Sequence, residues 1–375
     1  MDTQHSTHGS LYAYSSPGYS SFYDAWVESL FASSGTASPT APVKKNEDIT
    51  IFTEIIRGQV RSSTRGVVNV VDLGTGTGRV VCELYRELSS AISDPCGAAA
   101  LGQSNSAPPA SPTQISIWGI DHSAEMLDAA VNAFNRLEKE LGGNPHSQSI
   151  FIHRPHWARA SAAAFTDTLA STSLGLGNID VLLLSVGTIH HLVNPQEVLS
   201  FLGELSKGLR PGSGVALISV LEEMIPASAQ QGGDNTAHLE EDYSGDMAIR
   251  STTQPGAAYV KSPTVTTWET RDVEVDADNG SPITVKSQVR TDRWTVECFD
   301  GLPEGTLPEG DTGVVAVAKG SPDRGKSVWK REMEWSLAMW DEDAFRKLVG
   351  VAGLEIEAVK RGSFQRWYTV VKRRN

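Results

Sequence analysis

The chain has 375 residues and a formal net charge of −13, enough length for one α/β domain with additions and ample for a buried core. The acidic balance speaks against nucleic acid as a partner, because phosphate binding draws on clustered Lys and Arg and the one basic run is Lys372-Arg373-Arg374. The three scattered cysteines, Cys82, Cys96 and Cys298, give neither a disulfide framework nor a metal-ligand spacing; with no signal-like or membrane-length apolar run, a cytoplasmic protein without metal or membrane partner is expected.

Residues 1–66 read as a polar tail and two helices. Phe22, Tyr23, Trp26, Val27 and Leu30 recur at helical spacing before a Gly/Ser/Pro-rich stretch over 33–42. That first helix either packs on a core or acts as a lid. A second helix is expected over Glu47 to Val60. The first strand follows: Val67, Val68, Val70 and Val71 are a β-branched run ending in Asp72, with Gly74, Gly76 and Gly78 behind it and a helical pattern from Arg79. Glycines at such a turn let a ligand approach the backbone. The G-x-G-x-G spacing behind an acid is neither the dinucleotide fingerprint nor a P-loop.

Residues 93–113 are rich in Ala, Gly, Ser and Pro and are expected to form a flexible surface insertion. Ile115 to Leu127 then reads as a second strand ending in Asp121, with Ser123 capping a helix that carries Leu127, Ala130, Val131, Phe134, Leu137 and Leu141 on one face. The glycine run and the segment Asp121-His122-Ser123-Ala124-Glu125-Met126-Leu127 together resemble the first two motifs of class I S-adenosylmethionine-dependent methyltransferases. The resemblance implies a cofactor site built from Asp72, Gly74, Thr75, Gly76 and Gly78, with Asp121 accepting from the ribose hydroxyls and His122 and Met126 beside it. Ile150 to Ile152 is the third strand. Family members carry an acid followed by Ala after it; here the match is Trp157-Ala158, which leaves Trp157 either against the adenine or in the core.

Ile179 to Ser185 is nearly continuous apolar sequence, as a central parallel strand should be. Its carboxyl end runs through Ser185 and Val186, completing the implied cofactor set, into Gly187-Thr188-Ile189-His190-His191-Leu192. A helix starting at Asn194-Pro195 and ending at Leu209-Arg210-Pro211-Gly212 follows, then the strand 214–220. This region resembles the glycine N-methyltransferase-like group, in which an Asn stands where Gly187 is; the missing amide argues against glycine or sarcosine as substrate. His191, and after it His190, is the candidate general base, since both follow a central strand at its ligand-facing end. The bland alternative is an imidazole that ties the loop to the backbone.

Residues 222–340 read as a polar loop to Ala258 followed by strands near 264–275, 283–299, 314–318 and 328–340. In the last, Trp329, Arg331, Met333, Trp335 and Leu337 alternate with polar residues. Such a stripe is ordinarily the apolar side of a small sheet, but the resemblance implies an acceptor cap, with Tyr23, Trp26, Gly187, Arg331 and Trp335 as candidate substrate contacts. From Asp341 a helix and two strands, 354–359 and 367–371, complete the core.

The expected organisation is a Rossmann-like, doubly wound, seven-stranded α/β sheet over 67–221 and 341–375. An antiparallel β region is inserted over 222–340, between the fifth strand and the last helix. The expected activity is methyl transfer from S-adenosylmethionine to nitrogen or oxygen of a small-molecule acceptor in a biosynthetic setting. A non-methylating S-adenosylmethionine binder and a nicotinamide-dependent reductase remain as alternatives, the latter without a visible Tyr-x-x-x-Lys.

Overall fold

The computed structural model describes residues 19–32, 47–93, 113–142, 150–221, 241–242, 246–250, 257–276, 282–300, 315–317, 326–339, 341–362 and 365–373. In chain order the first elements are α1 (Tyr19–Ala32), α2 (Glu47–Ser62), β1 (Val67–Leu73), α3 (Arg79–Ser93), β2 (Thr113–Asp121) and α4 (Ala124–Glu140). Then come β3 (Ile150–Ile152), β4 (His156–Arg159), α5 (Phe165–Ala170), β5 (Val181–Leu184), α6 (Pro195–Gly208) and β6 (Val215–Leu221). The strands β7 (Glu241–Asp242), β8 (Asp246–Arg250), β9 (Ala257–Lys261), β10 (Thr264–Val275), β11 (Ile283–Asp300), β12 (Val315–Val317) and β13 (Lys326–Met339) follow. The chain ends with α7 (Glu342–Val351), β14 (Leu354–Arg361) and β15 (Gln365–Lys372). These fall into two compact units: Asn46–Ile225, Val273–Val285 and Trp340–Asn375 in one, and Met1–Lys45, Pro226–Asp272 and Lys286–Met339 in the other.

In the first unit the strand order is β14-β15-β6-β5-β1-β2-β3, with β4 also pairing β2. The pairs β1–β2, β1–β5, β5–β6, β2–β3 and β2–β4 are parallel, whereas β15 runs antiparallel to β6 and β14. This is the Rossmann-like core expected from the sequence. Val68 and Val70 of β1 and Ile115 and Ile117 of β2 pack on Val80, Val81, Leu84 and Leu88 of α3 and on Ile49, Phe52 and Ile56 of α2. Full burial of each such side chain contributes about 1.5–3 kcal/mol, which explains why the apolar stripes of both helices settle on this face. The helix starts are those the sequence marks. Ser123 Oγ accepts from the Met126 amide, Asn194 caps α6 with Pro195 in its first turn, and Asp341 caps α7.

Two strand readings change. The central strand is shorter than 179–185, and Ile179 instead makes an isolated bridge to Leu209. The segment 156–159, read only as a possible adenine contact, is the strand β4 along Trp118 to Asp121.

In the second unit an antiparallel sheet runs β12-β8-β9-β11-β10-β7, with β13 on β11 from Gln288–Met339 to Asp300–Lys326. Part of the expected loop over 222–258 is therefore strand, since β8 pairs with β9 and with β12. The insertion expected over 93–113 lies almost wholly outside the described residues. Helix α1 belongs to this unit and covers the aromatic stripe: Phe22 meets Tyr259 edge-on at 5.7 Å and Trp26 lies 4.9 Å from Trp335. The alternation in β13 is as expected, with Met333, Trp335 and Leu337 buried and Lys330 and Glu332 exposed.

Candidate functional site

The carboxyl ends of β1, β2, β4 and β5 converge on one loop system. Leaving β1, the chain turns back on β2: the Gly74 and Thr75 amides both donate to the Ile120 carbonyl, at 2.8 and 2.9 Å. The turn needs left-handed backbone at Gly74 (φ 70°), Gly76 (φ 56°) and Gly78 (φ 86°), which glycine alone adopts without cost. Space excludes side chains as well. A Cβ on Gly74 would stand 2.4 Å from Thr188 Cγ2, and one on Gly78 would stand 2.9 Å from Ala130 Cβ.

Two carboxylates frame this loop. Asp121 Oδ2 accepts from the Gly76 amide and Oδ1 from the Ser123 amide, both at 2.9 Å, with His122 Nδ1 3.4 Å from Oδ1. Asp72 is fully buried; its Oδ2 accepts from Thr75 Oγ1 at 2.7 Å, while its Oδ1 has no protein partner. Burial pushes the Asp72 pKa up to about 7, against the opposing pull of the Thr75 hydroxyl and the Arg79 guanidinium. A carboxylate with an open acceptor atom, held near half-ionisation, is poised to ionise when a cation or donor arrives. Arg79, the first residue of α3, ion-pairs with the buried Asp48 of α2 and so ties that helix to the glycine loop.

Beyond β5 the backbone is strained. Val186 (φ 49°) and Gly187 (φ 67°) are both left-handed, and for a β-branched residue this conformation costs about 1–3 kcal/mol. The loop is held by the Gly187 amide donating to Ser219 Oγ at 2.9 Å and by the Thr188 hydroxyl donating to the Ser185 carbonyl at 2.7 Å. A Cβ on Gly187 would lie 2.7 Å from Leu221 Cγ, so no asparagine fits there. His190 is buried, and its Nε2 accepts from the Leu221 amide at 3.0 Å, the loop-tying role set against catalysis in the sequence. Burial first, then the nearby His190 and His122, lower the His191 pKa to about 3, so its ring is neutral in ordinary buffers.

Trp157 packs across Gly119, where a Cβ would come within 2.4 Å of its ring and 3.2 Å of Thr75 Oγ1; it also meets Phe134 edge-on at 6.4 Å. It is thus part core and part wall of the glycine-loop region. Ala158 pairs with Ile120, and Met126 is buried at the start of α4. The structure therefore brings Asp72, Gly74, Thr75, Gly76, Gly78, Asp121, His122, Met126, Trp157 and Ala158 to one end of the sheet. Ser185 and Val186 join through the Thr188–Gly74 contact.

The substrate candidates divide. Tyr23, Trp26 and Trp335 form one aromatic cluster in the second unit, and Arg331 there lies over the Trp329 ring at 5.5 Å. Gly187 belongs to the first unit. Asp48, Arg79 and Ser219 enter the site's framework without any short-range sequence signal. A groove of about 460 Å³ lined by Arg65, Asn69, Trp118, His156, Asn178 and Arg210 lies at the amino ends of β1 and β5, away from the glycine loop, and is not part of this site. Among the described residues no group of His, Cys, Asp and Glu could hold a metal ion, and no helix is long and apolar enough to cross a membrane.

The donor set fits S-adenosylmethionine. Asp72 offers an open buried acceptor, Asp121 a carboxylate with acceptor capacity beyond its two amides, and the glycines leave room where any Cβ would clash. No protein-family model matches the chain. It is 26% identical over 227 residues to N-methyltransferase FrzE of a Cladobotryum species, a match that covers 60% of this chain and 64% of that protein, so the chain spans just under two thirds of the relative's length. Among solved structures it is similar to DesVI of Streptomyces venezuelae (11% identity, 94% and 97% of the two chains, TM-score 0.44). It is also similar to the S-adenosylmethionine-bound amino pentose methyltransferase CalS10 of Micromonospora echinaspora (14%, 93% and 96%, TM-score 0.43).

Proposed function

We propose that this chain is a class I S-adenosylmethionine-dependent methyltransferase that methylates a nitrogen of a small-molecule acceptor, in a cytoplasmic and biosynthetic setting. The observation that carries the reading is the pair of carboxylates on the glycine loop: Asp121 bound to the Gly76 amide, and Asp72 buried beside it with one oxygen open. The sequence likeness to an N-methyltransferase supports it.

The cofactor supplies an activated methyl group on a sulfonium. The chain's own residues do the remaining work. Asp121 would hold the ribose hydroxyls through charge-assisted hydrogen bonds, and Asp72 would answer the cofactor's positive charge from the loop's inner side. Thr188 and the strained Val186-Gly187 turn fix the loop above Gly74, and catalysis then rests on orientation and on the exclusion of water.

Nitrogen is favoured over oxygen because of the histidines. A hydroxyl acceptor needs a base, but His190 spends its Nε2 on the Leu221 amide, and His191, at about 3, is a weak one. An amine that arrives neutral needs none. The test is calorimetric titration with S-adenosylhomocysteine and with NADPH, followed by product analysis with amine and hydroxyl acceptors. Binding of NADPH in place of the adenosyl compound, or methylation of hydroxyls alone, would overturn the reading.

A further inference from the structure

At the carboxyl end of β6, where β15 begins, Gln365 pairs with Leu221. Its side chain is completely buried, yet neither Oε1 nor Nε2 has a hydrogen-bond partner in the protein. Buried amides are ordinarily satisfied, because leaving both ends unmade forfeits what water offered them. On the same face Trp367 Nε1 is also buried without a hydrogen-bond partner, so the unmet polar capacity here is shared by two side chains. The Gln365 carbonyl accepts from the Gly362 amide at 2.8 Å, and the adjacent Arg366, on the opposite face, ion-pairs with Glu342 at 2.6 Å.

Paired residues of an antiparallel ladder share a face, so Gln365 lies on the side of Leu221 and Ser219. Ser219 holds the Gly187 amide, and the Leu221 side chain fills the space that a Cβ on Gly187 would need. Trp367, two residues on, packs with Ile49 and Phe52 of α2 on that same face. The unpaired carboxamide thus stands beside the strained loop at the ligand-facing end of the sheet, on the side covered by α2.

We propose that Gln365 is an acceptor-binding residue, and that the group it takes is a neutral amine flanked by a carbonyl oxygen. The inference rests on the methyl-transfer reading above. A carboxamide presents an acceptor and a donor side by side: Oε1 accepts one N–H of the amine, and Nε2 donates to the neighbouring oxygen. Accepting an N–H also fixes the direction of the nitrogen lone pair, which is what an in-line displacement requires.

The test compares the full chain with Gln365→Met, which keeps the volume, and with Gln365→Leu, which likewise removes both the acceptor and the donor. Each protein is assayed for thermal unfolding, for S-adenosylhomocysteine affinity, and for methyl transfer to phenylalaninamide and to 2-phenylethylamine, with kcat/KM expressed per concentration of neutral amine because the carboxamide also lowers the basicity of the nitrogen. We expect Gln365→Met to unfold at or above the wild-type temperature and to bind S-adenosylhomocysteine as wild type does. Wild type should favour phenylalaninamide by about tenfold or more in kcat/KM, and both variants should reduce that preference to about twofold. A lower unfolding temperature in Gln365→Met would show that protein or buried water already satisfies the amide, and would overturn the proposal. So would equal use of the two amines by wild type, or use of neither by a wild type that binds S-adenosylhomocysteine. Failure of wild type to bind S-adenosylhomocysteine would instead remove the functional reading.

Discussion

Asp121 Oδ2 and the Gly76 amide are joined by a 2.9 Å hydrogen bond across 45 residues of chain, and the same carboxylate accepts from the Ser123 amide on its other oxygen. One side chain thus sets the glycine loop and the start of α4 relative to each other. Asp121→Ala is expected to weaken S-adenosylhomocysteine binding by about 1.5–3 kcal/mol, roughly 10- to 150-fold, as a charge-assisted contact is lost and the loop is freed. Gly76→Val, which forces a branched side chain to φ 56°, should abolish binding in a chain that still folds. Calorimetry with both variants decides the matter, and an effect below about tenfold for Asp121→Ala would move the ribose contact elsewhere.

Asp72 makes the site sensitive to pH. An acid whose folded pKa is raised contributes stability that is present below its unfolded value near 4 and is lost as pH rises through about 7. Asp72→Asn mimics the protonated form. Its unfolding temperature is therefore expected to exceed that of wild type by a margin that opens between about pH 4 and 7 and stays constant above, while its affinity for the cofactor falls. Wild-type affinity should itself weaken below about pH 7 as the carboxylate protonates. A pH-independent margin between the two proteins would contradict the ionisation assigned to Asp72.

The parts of this site that were legible in the sequence are those with short-range causes. The Val run, Asp72, the three glycines and the Ser123, Asn194 and Asp341 caps each act within a few residues, and the structure has them where their chemistry puts them. What was not legible depends on partners far along the chain. β4 is four residues long without alternation and exists because Trp118 to Asp121 offers it an edge, and β8 and β9 arise in turn-rich sequence because they pair with each other. The Arg79–Asp48 ion pair and the Gln365–Leu221 pairing likewise leave no spacing pattern to read. The strain at Val186 is a backbone property that nothing in the residue type announces.

His191→Asn separates positioning from base catalysis. With the ring neutral down to about pH 3, turnover of an amine acceptor is expected to change by less than about threefold, and its pH profile should show no limb that disappears in the variant. The stability consequence has the opposite sign to that of Asp72. A histidine whose folded pKa is depressed loses stability as pH falls from about 6.5 toward 3, so His191→Asn should resist acid better than wild type. A drop in turnover of 10²-fold or more with cofactor affinity intact would restore His191 as general base.

At the other end of the sheet Arg210 binds Asp180 through two nitrogens, Nε to Oδ1 and Nη2 to Oδ2, and Nη2 also donates to the Asn178 carbonyl at 3.1 Å. The pair is mostly buried, and Asp180 Oδ2 additionally accepts from the Asn69 amide at 2.8 Å, so one ionic group clamps the entrance of β1 to that of β5 and to the end of α6. Removing one partner strands the other. Arg210→Met is expected to destabilise by about 3–5 kcal/mol at pH 7.5, because the buried carboxylate then keeps only the Asn69 amide and the charge of Arg65, whereas the double variant Arg210→Met, Asp180→Asn should recover a large part of that loss. Urea unfolding of wild type, Arg210→Met, Asp180→Asn and the double variant measures the coupling directly. If the double variant is as unstable as the sum of the two single changes, the clamp acts through packing of the arginine stem and not through charge. Because the clamp lies away from the glycine loop, none of these variants should shift S-adenosylhomocysteine affinity while the chain remains folded.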